Sequence, residues 1–189
     1  MRNLFAIVAV CTFAAITASA QEGIVIDYDI SGAESWDDYG AASNEVHVID
    51  AAGLVGLPSG TAVTMNGIGW DVTIETIGGS WLSEATMYFD DNISPDGVGL
   101  FLTPGVADSY AGTATYTSGG IIDLSDAGID NIALPDGLLR LEFYEDYDDV
   151  AGQVDANYLA SSVLHLDIVP EPAGLTLIGL GTLALIRRR

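Results

Sequence analysis

Apolar and polar residues alternate with a period of two in several short runs of the chain between residues 24 and 168. In Ile24-Val25-Ile26-Asp27-Tyr28-Asp29-Ile30 the alternation sets Ile26, Tyr28 and Ile30 on one face. Trp70, Val72 and Ile74 share a face in the same way, as do Leu139, Leu141 and Phe143, and then Leu164, Leu166 and Ile168. This period over a run of roughly 5–7 residues marks a half-buried strand. Further strands are expected at Glu45–Asp50, Thr61–Met65, Glu84–Phe89, Val98–Leu102, Thr113–Thr117 and Gly120–Leu124. Turn-forming residues separate them: Pro58 to Gly60, Asn66-Gly67, Gly78-Gly79, Asp91-Asn92, Pro95 to Gly97, Pro104-Gly105, Gly119-Gly120 and Pro135 to Gly137. No stretch of this region carries a helical period. The expected fold is all-β, a sandwich of nine or ten short strands, jelly-roll-like in type.

The two ends follow different patterns. Met1-Arg2-Asn3 is a short basic segment, Leu4 to Ile16 is apolar and uncharged, and Ala18-Ser19-Ala20 precedes Gln21. That order is expected of a signal peptide over residues 1–20, handled by the Sec translocon and signal peptidase. Cys11, the one cysteine, lies inside the apolar segment behind Val10, where a lipid-attachment site would need a small residue. Residues 21–168 then form one exported domain without disulfides. At the other end, residues 169–189 hold Pro170-Glu171-Pro172, an apolar run from Gly174 to Ile186, and Arg187-Arg188-Arg189. A thirteen-residue helix spans about 20 Å, short of the roughly 30 Å of a bilayer core. The run therefore suits a transient signal better than a permanent anchor. The arginines would keep its end on the cytoplasmic side.

Val169-Pro170-Glu171-Pro172-Ala173, the Gly/Leu-rich run and the terminal arginines resemble a PEP-CTERM sorting domain. The resemblance implies an exosortase-type membrane protease as partner and bacteria that make exopolysaccharide. It implies a path through the inner membrane to the cell surface or the exterior, and a sorting signal made of Pro170, Glu171, Pro172, Arg187, Arg188 and Arg189. Such tails follow many unrelated domains, so the likeness carries destination and not activity. The exported region also resembles the jelly-roll modules of such proteins, distantly similar to proprotein-convertase P domains and galactose-binding-like sandwiches. The residues concerned are Gly69-Trp70-Asp71-Val72, Ser80 to Glu84, Asp136 to Phe143 and Val163 to Ile168. That likeness implies a non-catalytic module, in some cases with structural calcium or a bound glycan.

Charge narrows the partners. Residues 21–169 hold 26 of the 27 acidic residues and one basic residue, Arg140, for a formal charge of about −25. Nucleic acid is excluded, because phosphate binding needs a basic surface. Self-repulsion on this scale favours a saline or cation-containing exterior.

Little in the exported region points to catalysis. His47 and His165 sit singly in strands, without metal-ligand spacing, on the face opposite their apolar neighbours. No nucleophile motif is present, and carboxylates are too numerous for any pair to signify glycoside hydrolysis. The densest chemistry is Glu145-Asp146-Tyr147-Asp148-Asp149 with Asp155, a loop between strands. Asp146, Asp148, Asp149 and Asp155 could supply the oxygens of a structural Ca²⁺ site, although the spacing is not that of an EF-hand. A solvated acidic loop is the other reading. Asp90-Asp91-Asn92 with Asp96 reads as a turn. Trp36 and Trp81, beside Gly/Ser-rich turns, are the candidate glycan contacts. Thr113, Thr115 and Thr117 share one strand face, a single rung where ice binding needs an array. The sequence thus reads as a non-catalytic, secreted or surface protein of an exopolysaccharide or biofilm matrix. The alternatives are a glycan-binding sandwich and, behind it, a secreted enzyme or ice binder.

Overall fold

The computed structural model describes residues 22–95, 97–149 and 151–171. The elements in chain order are β1 (Ile24–Asp29), β2 (Glu34–Ser35), β3 (Glu45–Asp50), α1 (Ala51–Leu54), β4 (Val63–Thr76), β5 (Ala85–Asp91), β6 (Leu100–Leu102), β7 (Thr113–Thr117), β8 (Ile122–Asp123), β9 (Ile132–Leu134), β10 (Leu138–Glu145), β11 (Ala156–Tyr158) and β12 (Val163–Pro170). They form two antiparallel sheets. The smaller has the order β3-β10-β5-β6, and the larger runs β1-β12-β4-β11-β2. Buried residues of both sheets share one core, among them Met65, Val72, Ile74 and Leu166 from the larger and Phe89, Leu141 and Phe143 from the smaller. The all-β expectation therefore holds, as two antiparallel sheets packed face to face.

β4 is the spine. One of its edges pairs with β12 and then β11, and the other pairs with β9, β8 and β7 in turn. The sequence reading splits this strand in two by taking Asn66-Gly67 as a turn. Instead the strand runs on through a bulge. Asp167 pairs with Gly67 and Ile168 with Met65, so Asn66 is the extra residue. The bulge switches which parity faces the core, from Val63 and Met65 before it to Ile68, Val72 and Ile74 after it. Gly67 and Gly69 serve close approach and not a turn. A Cβ on Gly67 would lie 2.7 Å from the Ile121 side chain, and one on Gly69 would lie 2.7 Å from the Gly120 carbonyl.

Two further details differ from expectation. His47 is not an outward-facing residue. In β3 it is the valines, Val46 and Val48, that are exposed, while His47 packs edge-on against Phe143 and meets the Tyr28 hydroxyl at 3.0 Å. β12 continues through Val169 to a buried Pro170, paired with Val63, so the sheet takes in the first proline of the Pro-Glu-Pro triplet. Pro172 and Arg187, Arg188 and Arg189 lie outside the described residues. Among the described residues no helix is long and apolar enough to cross a membrane.

Candidate functional site

Three connections cross between the sheets at one end of the sandwich: residues 36–44, 77–84 and 146–155. Strand register brings them together, because Ala156 pairs with both Ser35 and Thr76, while Glu145 pairs with Ala85. Backbone hydrogen bonds then lace the crossings. The Glu145 N–H donates to the Asp37 carbonyl at 3.0 Å, and the Asp146 N–H to the Glu84 carbonyl at 2.9 Å. The Asp155 N–H donates to the Ser35 carbonyl at 2.9 Å, and the Ile77 N–H to the Asp155 carbonyl at 2.7 Å. The Gly152 N–H reaches Asp37 Oδ1 at 2.6 Å. The acidic loop is thus pinned at both ends.

The alternation of β10 drives a carboxylate inward. Leu139, Leu141 and Phe143 face the core, and Glu145, of the same parity, follows them in and is fully buried. The Ser80 hydroxyl donates to its Oε2 at 3.0 Å, while its Oε1 has no hydrogen-bond partner. Burial pushes the Glu145 carboxyl up to about 8; the Ser35 and Ser80 hydroxyls oppose the shift, and the charges of Asp155 and Glu84 add to it. Asp155 is 3% exposed, and its Oδ2 is also without a partner. Burial raises its pKa, a backbone N–H from Asp149 works against this, and the charges of Asp148, Asp149 and Asp37 reinforce it. The Tyr158 hydroxyl, buried nearby against Phe143, likewise lacks a partner. Its pKa is raised by burial and then by Glu145.

Two of the three connections also line a pocket of about 280 Å³, formed by Gly79, Trp81, Glu84, Tyr147 and Asp149. Trp81 is 46% exposed and Tyr147 64%. Glu84 is held in place as its Oε2 accepts the Trp81 backbone N–H at 2.6 Å. The Asp149 carboxylate lies over Gly79, 3.7 Å from where a Cβ would stand. The pocket therefore joins two open aromatic rings to two carboxylates.

The predicted site residues separate accordingly. Asp148, Asp149 and Asp37 lie within electrostatic reach of Asp155, and Asp155 within reach of Glu145. Asp146 is exposed, and its charge bears instead on Tyr144. Trp81 lines the pocket, whereas Trp36 is half-buried and does not. Asp91 behaves as the expected turn residue, its Oδ1 accepting the Ile93 and Ser94 N–H groups at 2.7 and 2.9 Å. His165 stands on the larger sheet between Asp27 at 2.7 Å and Asp71 at 3.1 Å, and the hydrogen bond to Asp27 leads the causes that raise its pKa. Among the described residues no group of three or more Asp, Glu, His or Cys side chains is placed to hold a metal ion.

Sequence reasoning missed Asp37 because its partner Gly152 is distant in the chain, and passed over Glu84, whose partners Ser80 and Trp81 are local, as a strand residue. The inward direction of Glu145 was readable from parity alone. No family model matches the chain, and no curated protein or solved structure matches it.

Proposed function

We propose that this chain is an exported, non-catalytic sandwich that binds glycan and reaches the cell surface or exterior by a PEP-CTERM route. The observation that carries the binding part is the pocket in which Trp81 and Tyr147 flank Glu84 and Asp149. Aromatic faces stack on the C–H faces of a sugar ring, and their edges tolerate polar neighbours. Carboxylates accept hydroxyl protons in strong charge-assisted bonds. At about 280 Å³ the pocket is smaller than the usual range of roughly 300–1,000 Å³ for ligand sites. It suits one unit of a longer chain.

Charge sets the sugar class. A domain near −25 repels uronates and sulfated sugars. A neutral sugar meets no such barrier, and the ammonium of an amino sugar gains from both carboxylates and ring faces. The jelly-roll likeness fits this use, and the tail supplies the address: Sec export, then an exosortase-type protease, then an exopolysaccharide matrix.

A glycan array tests the reading. Binding to neutral or amino-sugar polymers is expected, with none to uronate polymers, and Trp81→Ala should weaken it at least tenfold. A pattern dominated by acidic glycans, or binding that survives Trp81→Ala unchanged, would contradict it.

A further inference from the structure

We infer that Glu145 and Ser80 are positioning residues of the Trp81 pocket: Glu145 keeps a proton and donates a hydrogen bond to the Ser80 hydroxyl, Ser80 donates in turn to Glu84, and Glu84 is thereby fixed as an ionised acceptor for a sugar hydroxyl. As a role in binding, this rests on the glycan reading of that pocket. Its basis is a proton count. The fully buried Ser80 hydroxyl lies 3.0 Å from Glu145 Oε2 and 3.3 Å from Glu84 Oε2. A hydroxyl has one proton to donate and lone pairs with which to accept, whereas an ionised carboxylate only accepts. Between two ionised carboxylates Ser80 could satisfy one, and its oxygen would face the other with no hydrogen between them. Both contacts are hydrogen bonds when one of the two carboxyls is protonated.

Glu145 is the group that keeps the proton. It is fully buried, and its Oε1 has no hydrogen-bond partner. An unpaired buried oxygen costs far less on a neutral carboxyl than on a charged one. The groups that face Glu145 are Ser35 from β2, Ser80 and Glu84 from residues 77–84, Asp155 at the entry to β11, and Tyr158 within β11. None of these is basic, and the charges of Asp155 and Glu84 oppose a further negative charge beside them. Burial, the leading cause, pushes the Glu145 carboxyl up to about 8. Glu84 is only partly buried, and its Oε2 also accepts the Trp81 N–H at 2.6 Å. With Glu145 ionised, the 3.0 Å contact runs from Ser80 to Glu145. With Glu145 protonated it runs the other way, and the Ser80 proton is available to Glu84.

The relay decides what Glu84 can offer. Both of its bonds fall on Oε2, which leaves Oε1 as the acceptor for a ligand in the pocket that Glu84 lines with Trp81, Tyr147 and Asp149. Hydrogen bonds to an ionised acceptor are about twice as strong as neutral ones, so a fixed Glu84 carboxylate is a strong partner for a sugar hydroxyl. Ionising Glu145 undoes the arrangement. The one Ser80 proton turns to the nearer, wholly buried carboxylate, Glu84 loses a bond, and a new negative charge stands one hydroxyl away from it. Binding of a neutral sugar should therefore weaken as pH rises through about 8.

The test has one arm without sugar and one with it. The full-length protein, labelled with ¹³C at its glutamate carboxyls, is titrated by NMR between about pH 6.5 and 9.5. The Glu145 carboxyl should titrate with a midpoint near 8, and the Glu84 carboxyl should shift over the same range. Glu145→Gln keeps a neutral donor to Ser80 at every pH, so it should remove the Glu84 step. Ser80→Ala should keep the Glu145 step and remove most of the Glu84 response. In the second arm, affinity for neutral glucan, mannan and galactan oligosaccharides is measured across the same range. It should fall at least about threefold in the parent and hold its value at the lower pH throughout in Glu145→Gln. In Ser80→Ala it should be at least about threefold weaker than in the parent at the lower pH, and independent of pH. A Glu84 carboxyl that does not move with Glu145 would overturn the relay. Parent affinity that is equal at both ends of the range, or an alkaline loss that persists in Glu145→Gln, would overturn the positioning role. Coupled carboxyl steps with no oligosaccharide bound at any pH would instead overturn the glycan reading and leave the relay standing.

Discussion

Arg140 shows how one residue can organise a surface. Its Nη2 lies 2.7 Å from Glu142 Oε2, with the two side chains 19% and 2% exposed. Glu142 Oε1 accepts the Gly40 N–H and the Asn44 side-chain N–H, both at 2.8 Å, and Asn44 Oδ1 accepts the Asp37 N–H at 3.0 Å. The chain of contacts draws residues 36–44 over the outer face of the smaller sheet. There Tyr39 meets Tyr88, Tyr144 and Phe101 at centroid distances of 4.9, 5.5 and 5.7 Å. It also holds Asp37 against the acidic loop. A buried pair of this kind adds little net stability relative to an apolar pair, but removing one partner strands the other charge. Arg140→Gln should therefore lower stability by about 3–5 kcal/mol. The double variant Arg140→Met with Glu142→Met should recover part of that loss. Urea melts of the three proteins check it.

At the scale of the element, strands of five or more residues were legible; of the shorter ones β6 and β8 fall inside the expected Val98–Leu102 and Gly120–Leu124, while β2, β9 and β11 were not read. β3 and β7 match their expected bounds, because an alternating run of that length has a period to read. β2, β9 and β11 have two or three residues each, and they are strands only by pairing with longer partners. The Asn66 bulge was hidden for the same reason: Asn-Gly is ordinary turn chemistry, and only β12 running past it on the far side makes it a bulge. Of the candidate site, the acidic loop and Trp81 were legible from local composition. Trp81 meets Glu84 locally, but the meeting of the acidic loop with both of them and with Asp37 depends on strand register, which the local pattern does not contain. β11 and β12 lie end to end along β4, and the break between them contains Ser161 at φ 70°. This left-handed conformation costs a non-glycine residue roughly 1–2 kcal/mol. Glycine relieves it but gives back about 0.5–1 kcal/mol of chain entropy. Ser161→Gly should thus stabilise by up to about 1 kcal/mol, seen as a higher denaturant midpoint with an unchanged slope.

At the scale of the molecule, charge and the proposed sorting route bear on the same domain. A domain near −25 with no cysteine in residues 21–169 has self-repulsion to offset and no covalent staple. The shared core supplies the stability, and the three crossings concentrate carboxylates at one end. β12 ends at Pro170, and the Glu171 N–H lies 3.4 Å from the Ala62 carbonyl, so the sorting tail would leave directly from the sheet. In a host with an exosortase, the intact mass of the exported protein should correspond to a start near Gln21 and to loss of residues 174–189. A surface-exposed form that keeps the full tail would contradict the sorting part. The central claim is that Trp81 and its neighbours are where sugar binds. The chain has three tryptophans, Trp36, Trp70 and Trp81, so an amide-labelled sample gives three indole N–H resonances, each assignable by substitution. Titration with a neutral or amino-sugar oligosaccharide should shift the Trp81 resonance and leave those of Trp36 and Trp70 in place. A shift confined to Trp36 or Trp70, or no shift at saturating oligosaccharide, would contradict the account.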